Sequence, residues 1–183
     1  ALYFATAYAT GYGNEYIAAY TIGLNLWLLG AFMIDGYSSA GNILSGKLLG
    51  SKDYKTLVKL SIKLAKYGFF IGIIIAIFGF VFYDFIGQIF TKDPLVLEQF
   101  YHVFWIVILT QPISAITFIF DGMFKGMGEM KYLRNLLILS TGFVFIPTLL
   151  FFDWLDYKLV AIWIAFTLWI LARGIPLIFK FRS

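Results

Sequence analysis

A long and nearly uncharged stretch early in the chain most limits what this sequence can fold into. The 31 residues between Glu15 and Lys47 contain a single charge, Asp35. At roughly 1.5 Å per helical residue, Asp35 lies roughly 18 Å from Lys47, near the middle of a hydrocarbon core about 30 Å thick. A carboxylate at that depth is costly unless it faces a partner, water or a cavity. We therefore expect a chain that moves something across a membrane, with Asp35 as the first candidate site residue.

Apolar runs separated by charges repeat along the rest of the chain. Hydrophobic residues make up 61% of it and charged residues only 13%, whereas soluble domains carry about 25% charged residues. Most of the runs reach or approach the length of about 18–20 residues that crosses a bilayer as a helix. The pattern predicts an all-α, polytopic membrane protein with six helices, at roughly 1–12, 16–46, 57–85, 98–124, 132–152 and 157–181.

The first apolar run is short and begins with Ala1 instead of an initiator Met. No charged segment or cleavage site precedes it, so the run does not resemble a signal peptide. We therefore expect residues 1–183 to be a piece of a longer protein, with the first helix truncated and an N-terminal portion missing. The chain has no Cys, which excludes disulfides and thiolate metal sites. We expect no cofactor and no metal.

The positive charges fall mainly on one side of the predicted membrane. Twelve of the 14 Lys and Arg residues lie there, and only Lys92 and Lys158 lie on the other side. The positive-inside rule then places the loops 47–66 and 125–134 and the C-terminus in the cytoplasm, with the plasma (inner) membrane as the location. This distribution explains the net charge of +4 without a nucleic-acid partner.

Polar side chains accompany Asp35 on its helix. Ser38 and Asn42 lie three and seven residues beyond it, on one stripe of the helix, as side chains that line a wet cavity must. We expect Asp35 and Asn42 to act in transport, although a purely structural polar seam is the alternative. Further candidates for lining the cavity are Tyr37, Ser38, Asn25 and Gln111.

Two further charges in apolar helices are candidates for transport or coupling. Asp121 lies four residues before Lys125, so an ordinary ion pair on one helix face and a transport role are equally open. Asp35 has no cation at these spacings, and Arg173 is its best candidate partner on another helix. Snorkelling of Arg173 to the headgroups is the alternative for that residue.

Lysines recur at spacings of three or four between Ser51 and Tyr67, opposite a face of leucines. This pattern predicts an amphipathic helix at the membrane surface that leads into the third span. Ordinary snorkelling of the lysines is the first interpretation, and specific binding of anionic lipid is the second.

Three segments together resemble one transporter family. The run Asp35-Gly-Tyr-Ser-Ser-Ala-Gly-Asn42 and its continuation to Asp53 resemble the eighth-helix signature of the multidrug and toxic compound extrusion (MATE) family, in its DinF-like branch. The segments 121–135 and 171–174 resemble the tenth-helix region and the end of the twelfth helix of that branch. One departure matters, because Asn42 stands where the branch commonly has Glu.

The resemblance implies the C-terminal six-helix lobe of a two-lobe, twelve-helix secondary antiporter. Such a protein exports organic, often cationic, compounds in exchange for protons or sodium. The expected partners are therefore a small organic substrate, a proton or sodium ion, the lipid bilayer and the missing N-terminal lobe. A lipid or oligosaccharide flippase of similar architecture is the main alternative. An intramembrane aspartyl protease is a weaker one, because neither Asp35 nor Asp121 follows a Gly-x-Gly step. We therefore expect a transporter and not an enzyme.

Overall fold

The computed structural model describes residues 1–182, without the side chain of Arg182, one of the C-terminal cations counted above. The described residues form helices and turns and contain no strand, as the sequence predicted. The elements are α1 (Leu2–Tyr12), α2 (Asn14–Gly50), α3 (Tyr54–Val81), α4 (Tyr83–Phe90), α5 (Pro94–Gly126), α6 (Met130–Ser140), a π-helical turn (Thr141–Phe145), α7 (Ile146–Trp154) and α8 (Lys158–Arg182).

Five segments are long and apolar enough to cross a membrane. They are α2, α3, α5, the continuous helical segment Met130–Trp154, and Lys158–Phe181 within α8. The first predicted helix, α1, has 11 residues. The third predicted helix differs from the observed one, because the chain breaks at Phe82 and continues as the short helix α4.

Local chemistry explains where these helices begin. Gly13, with φ 135°, separates α1 from α2, a conformation that residues with a side chain rarely adopt. The Asp53 carboxylate accepts a hydrogen bond from the Thr56 backbone N–H at 3.1 Å and so caps α3. Asp93 caps α5 in the same way, and Pro94 follows it in the first turn, where a missing N–H has no cost.

Helix α5 forms the centre of the lobe and packs against α2, α3 and α8. Glycines allow the closest approaches. A Cβ on Gly126 would lie 1.9 Å from the Asn42 carbonyl oxygen on α2. On the α3 side, a Cβ on Gly72 would lie 2.5 Å from the Cα of Pro112. In membranes, where lipid is as apolar as the helices, such small-residue contacts supply much of the packing energy.

The segment Met130–Trp154 contains one π-helical turn, Thr141–Phe145. The Ile146 N–H donates to the Thr141 carbonyl, five residues back instead of four. The next residue, Pro147, has no N–H to donate. From α8, the Trp169 indole N–H donates to the Thr141 hydroxyl at 3.0 Å and fixes the turn against the lobe.

Candidate transport site

An ion pair joins the central helix to the last helix within their membrane-spanning parts. Asp121 on α5 is 7% exposed, and its Oδ2 accepts a hydrogen bond from the Nη2 of Arg173 on α8. The Arg173 guanidinium also lies 4.7 Å from the ring centre of Trp169, one turn earlier on α8. Planar guanidinium groups favour both contacts, with a carboxylate and with an aromatic face.

Close approach of the two backbones brings this pair together. Gly174, next to Arg173, faces Thr117, one turn before Asp121, and a Cβ on Gly174 would lie 2.4 Å from the Thr117 hydroxyl oxygen. The sequence reasoning missed Thr117, Gly174 and Trp169. The i, i+4 spacing of Trp169 and Arg173 was a usable signal for the ring contact, since residues four apart share a helix face.

The predicted partner of Arg173 was wrong, and the Asp121–Lys125 ion pair that the sequence left open is not formed among the described residues. Arg173 was predicted to pair with Asp35 and instead pairs with Asp121. Asp121 was in turn a candidate partner of Lys125, which is exposed on α5 and forms no ion pair with it in the described structure. Residues on separate helices can meet only if both faces point toward each other, and Asp35 lies on a different face of α2.

Asp35 is exposed on the surface of this lobe. The face of α2 that packs on the lobe carries Gly23, Gly30, Ile34 and Gly41, all buried. At about 100° per residue, Asp35 lies about 100–140° around the helix from that face. Among the described residues it has no ion-pair partner. No described side chain of the lobe therefore neutralises its charge.

Other polar residues share this open side of α2. We call this set the α2 polar stripe; its members are Thr21, Asn25, Asp35, Ser39 and Asn42. They fall within about 100° of the helix circumference. All are exposed except the half-buried Asn42. None of the described helices covers the stripe around Asp35.

Three residues predicted to line a cavity lie elsewhere. The Ser38 hydroxyl donates to the Phe118 carbonyl of α5 at 2.8 Å, so it belongs to the helix contact. Tyr37 is exposed on the side toward α3, with its ring centre 6.4 Å from that of Tyr67. Gln111 is 3% exposed, and its Oε1 is buried without a hydrogen-bond partner in the α2–α5 contact.

Comparisons with known proteins agree with this architecture. The MatE family model matches residues 3–150. Protein DETOXIFICATION 42 of Arabidopsis thaliana is 28% identical over 162 residues, which cover 88% of this chain and 31% of that protein. Protein DETOXIFICATION 45, chloroplastic, of the same plant is 32% identical over 70% of this chain and 23% of its own length. The chain thus spans about a third or less of these relatives.

Two solved structures share the fold. One is the outward-facing conformation of a multidrug resistance MATE family transporter of the MOP superfamily, with a TM-score of 0.87 and 19% identity over 99% of this chain and 41% of that chain. The other is an inward-facing conformation under the same description, with a TM-score of 0.86 and 19% identity over 98% of this chain and 42% of that chain.

Proposed function

This chain belongs to the MatE family, and we propose that it forms the C-terminal lobe of a secondary antiporter that exports organic, cationic compounds in exchange for protons or sodium. The family consists of transporters, which removes the intramembrane protease from the alternatives. Its apolar helices make it an integral membrane protein. The substrate class, the coupling ion and the second lobe are parts of the proposal.

The α2 polar stripe carries this proposal. Asp35 lies deep in a helix of 37 residues and is exposed on the described lobe. An ionised carboxylate does not face hydrocarbon stably, so this side of α2 must face water or another part of the protein. In transporters built from two related halves, substrate and coupling-ion sites lie near the midplane between the halves. We therefore assign the stripe to the substrate pathway between the two lobes.

The charges of the lobe favour a cation in this pathway. Arg173 is neutralised by Asp121, which leaves the Asp35 charge available to a ligand. A proton, a sodium ion or an organic cation can each neutralise Asp35, but one carboxylate cannot serve two of them fully at once. Competition of this kind couples the entry of the ion to the release of the substrate. Asn42 and Ser39 offer polar groups along the same route.

The Asp121–Arg173 pair has a different part in this scheme. It joins α5 to α8, and α5 in turn packs against the pathway helix α2. Protonation of Asp121 would release Arg173 from its carboxylate partner and leave a cation between the helices. Both residues are therefore candidates for coupling, as a switch in the contact of two helices and not as direct ligands of the substrate.

The lobe as a whole is proposed to move as one body. Its fold superposes on an outward-facing and on an inward-facing structure almost equally well, with TM-scores of 0.87 and 0.86. A lobe that changed its internal packing between the two states would fit one of them better. Equal fits support rocking of one half against the other around a fixed site, which is how repeat-built transporters alternate their access.

The proposed setting is the plasma (inner) membrane, with the C-terminus in the cytoplasm. The support is the distribution of Lys and Arg, twelve on the proposed cytoplasmic side against two on the other. The described helix ends are compatible with it, since the turns 51–53 and 127–129 lie on the lysine-rich side.

Substitution of Asp35 tests the function. Asp35→Asn keeps the size and polarity of the side chain and removes its titrating charge. In vesicles that contain the full-length protein, efflux of a fluorescent organic cation driven by a proton or sodium gradient should fall at least about tenfold, equivalent to about 1.4 kcal/mol. Asp84→Asn, a matched change at an exposed acid on α4, should transport like the wild type. Normal gradient-driven efflux by Asp35→Asn would refute the assignment of Asp35.

A further inference from the structure

A second, separate feature is a large apolar groove on the outside of the lobe. It lies between α3, α5 and α8 and has a volume of about 780 Å³. The residues that line it are almost all apolar, among them Ile62, Phe69, Ile116, Phe120, Ile178 and Phe181. It is distinct from the α2 polar stripe, because α2 contributes no residue to it.

The depth of the groove places it at the edge of the hydrocarbon. Helix α3 has 28 residues, so at about 1.5 Å per residue it is about 42 Å long. It is therefore about 12 Å, or about eight residues, longer than a hydrocarbon core of about 30 Å. If α3 leaves the core at Val81, it enters the core near Ile62. Phe69 and Phe70 on the groove wall then lie among acyl chains, and Lys66 lies within about one turn of the boundary.

A row of lysines runs along one rim of this groove. Lys55, Lys59 and Lys66 point in nearly the same direction, within about 40° around α3. All three are exposed, and none forms an ion pair within the described part of the chain. Lys66 itself lines the groove. Lys63 lies about 40° beyond Lys59 around α3, at the edge of the row, and its Nζ lies 5.8 Å from the ring centre of Tyr67.

We propose that this groove is a binding site for one anionic phospholipid. An acyl chain occupies the apolar floor between α3, α5 and α8, and the phosphate of the headgroup lies against Lys59 and Lys66. The occupant is a lipid because the groove opens to the bilayer, where no apolar surface is left empty. The headgroup is anionic because the rim offers ammonium groups without an ion-pair partner among the described residues, with Lys59 on the headgroup side and Lys66 within about one turn of the boundary.

Phosphatidylglycerol binding to the full-length protein tests the site. The protein is purified in detergent, and the shift of its thermal midpoint is titrated with phosphatidylglycerol and, separately, with phosphatidylcholine. We expect phosphatidylglycerol to stabilise the protein. The variant Lys59→Gln/Lys66→Gln should raise the half-saturating phosphatidylglycerol concentration about tenfold or more, since each lysine near a lipid surface contributes a factor of about five in affinity. Both lysines are exposed, so the double variant should fold normally.

Two control variants distinguish lipid binding in the groove from general electrostatic attraction of anionic lipid to lysines. Lys47→Gln/Lys52→Gln removes the same charge from the same side of the membrane, away from the groove, and should retain the full response. Ala65→Phe fills the groove and leaves every lysine in place, and it should also lose the response. Any of three results would overturn the proposal. They are an equal loss of phosphatidylglycerol stabilisation in the two double lysine variants, an undiminished stabilisation in Ala65→Phe, and equal stabilisation of the wild type by phosphatidylcholine.

Discussion

The Asp121–Arg173 pair offers the sharpest test of how this lobe is held together. The side chains of Arg173 and Asp121 are only 15% and 10% exposed. Loss of one partner from a buried pair costs about 3–5 kcal/mol, because the remaining charge is left uncompensated. We therefore expect Asp121→Asn and Arg173→Gln each to lower the free energy of unfolding by about 3 kcal/mol or more.

The double variant decides whether the two residues act as a pair. Asp121→Asn/Arg173→Gln leaves two neutral amides in place of two charges, so its loss should be well below the sum of the single losses. A coupling energy of about 2–3 kcal/mol is expected for contacting residues of this kind. The measurement is equilibrium unfolding of the purified full-length protein in mixed micelles by titration with sodium dodecyl sulfate. Additive losses would refute the reasoning.

An exposed pair in the same lobe serves as the matched control. The Lys180 Nζ lies 3.1 Å from Glu129 Oε2, with side chains 37% and 46% exposed. Lys180 also lies 4.0 Å from the ring centre of Tyr132. Surface pairs couple by about 0.2–1 kcal/mol, so the cycle of Glu129→Gln and Lys180→Gln should give the smaller coupling. A coupling at the Asp121–Arg173 pair no larger than this one would mean that burial adds nothing to it.

Other parts of the lobe give further expectations. Single cysteines at Ser51 and Asp93 of this Cys-free chain should react with an impermeant maleimide from opposite sides of the membrane, and reaction of both from one side would contradict the topology. Gly126→Ala should cost about 1–3 kcal/mol of unfolding free energy, because its Cβ would meet a backbone oxygen of α2. Gly36→Ala, in open space, should cost nothing by the same assay. Hydrogen bonds from the Thr56 hydroxyl and N–H lower the pKa of the Asp53 carboxyl below 3.8. The cap should therefore protect the first amides of α3 from hydrogen exchange near neutral pH and lose that effect as the pH falls through the lowered pKa, whereas in Asp53→Asn the protection should not change with pH.

The sequence predicted the helices well, because length and hydrophobicity alone decide which segments cross a bilayer. The boundaries of α2 and α5 fall within a few residues of the predicted ones, where charges and capping residues end the apolar runs. The break at Phe82 was not predicted, since neither neighbour of Phe82 is Gly or Pro, and Asp84 two residues later indicated the end of the span.

The partners of the charges could not be predicted as well. Position along a helix gives the depth of Asp35, Asp121 and Arg173, but it does not give the direction in which each side chain points. A soluble helix reveals its buried face by an apolar stripe, whereas a membrane helix is apolar on almost every side. Glycines were the available signal. Gly30 and Gly41 mark the face of α2 that packs on the lobe, and Asp35 lies about 120–140° away from both.

The π-helical turn at Thr141–Phe145 has a consequence for how sequences in this family are compared. A π turn holds one residue more than the α-helix that it interrupts, and the helix on either side keeps its own packing face. Deletion of one residue from Thr141–Phe145 would therefore join α6 and α7 into a regular α-helix and leave the residues on either side of the turn on the faces that they now have. Leu149, which follows the turn and is buried in the lobe, would keep its packing face. A one-residue gap at this place in an alignment of homologues would therefore mark a change of helix type and not a shortened loop.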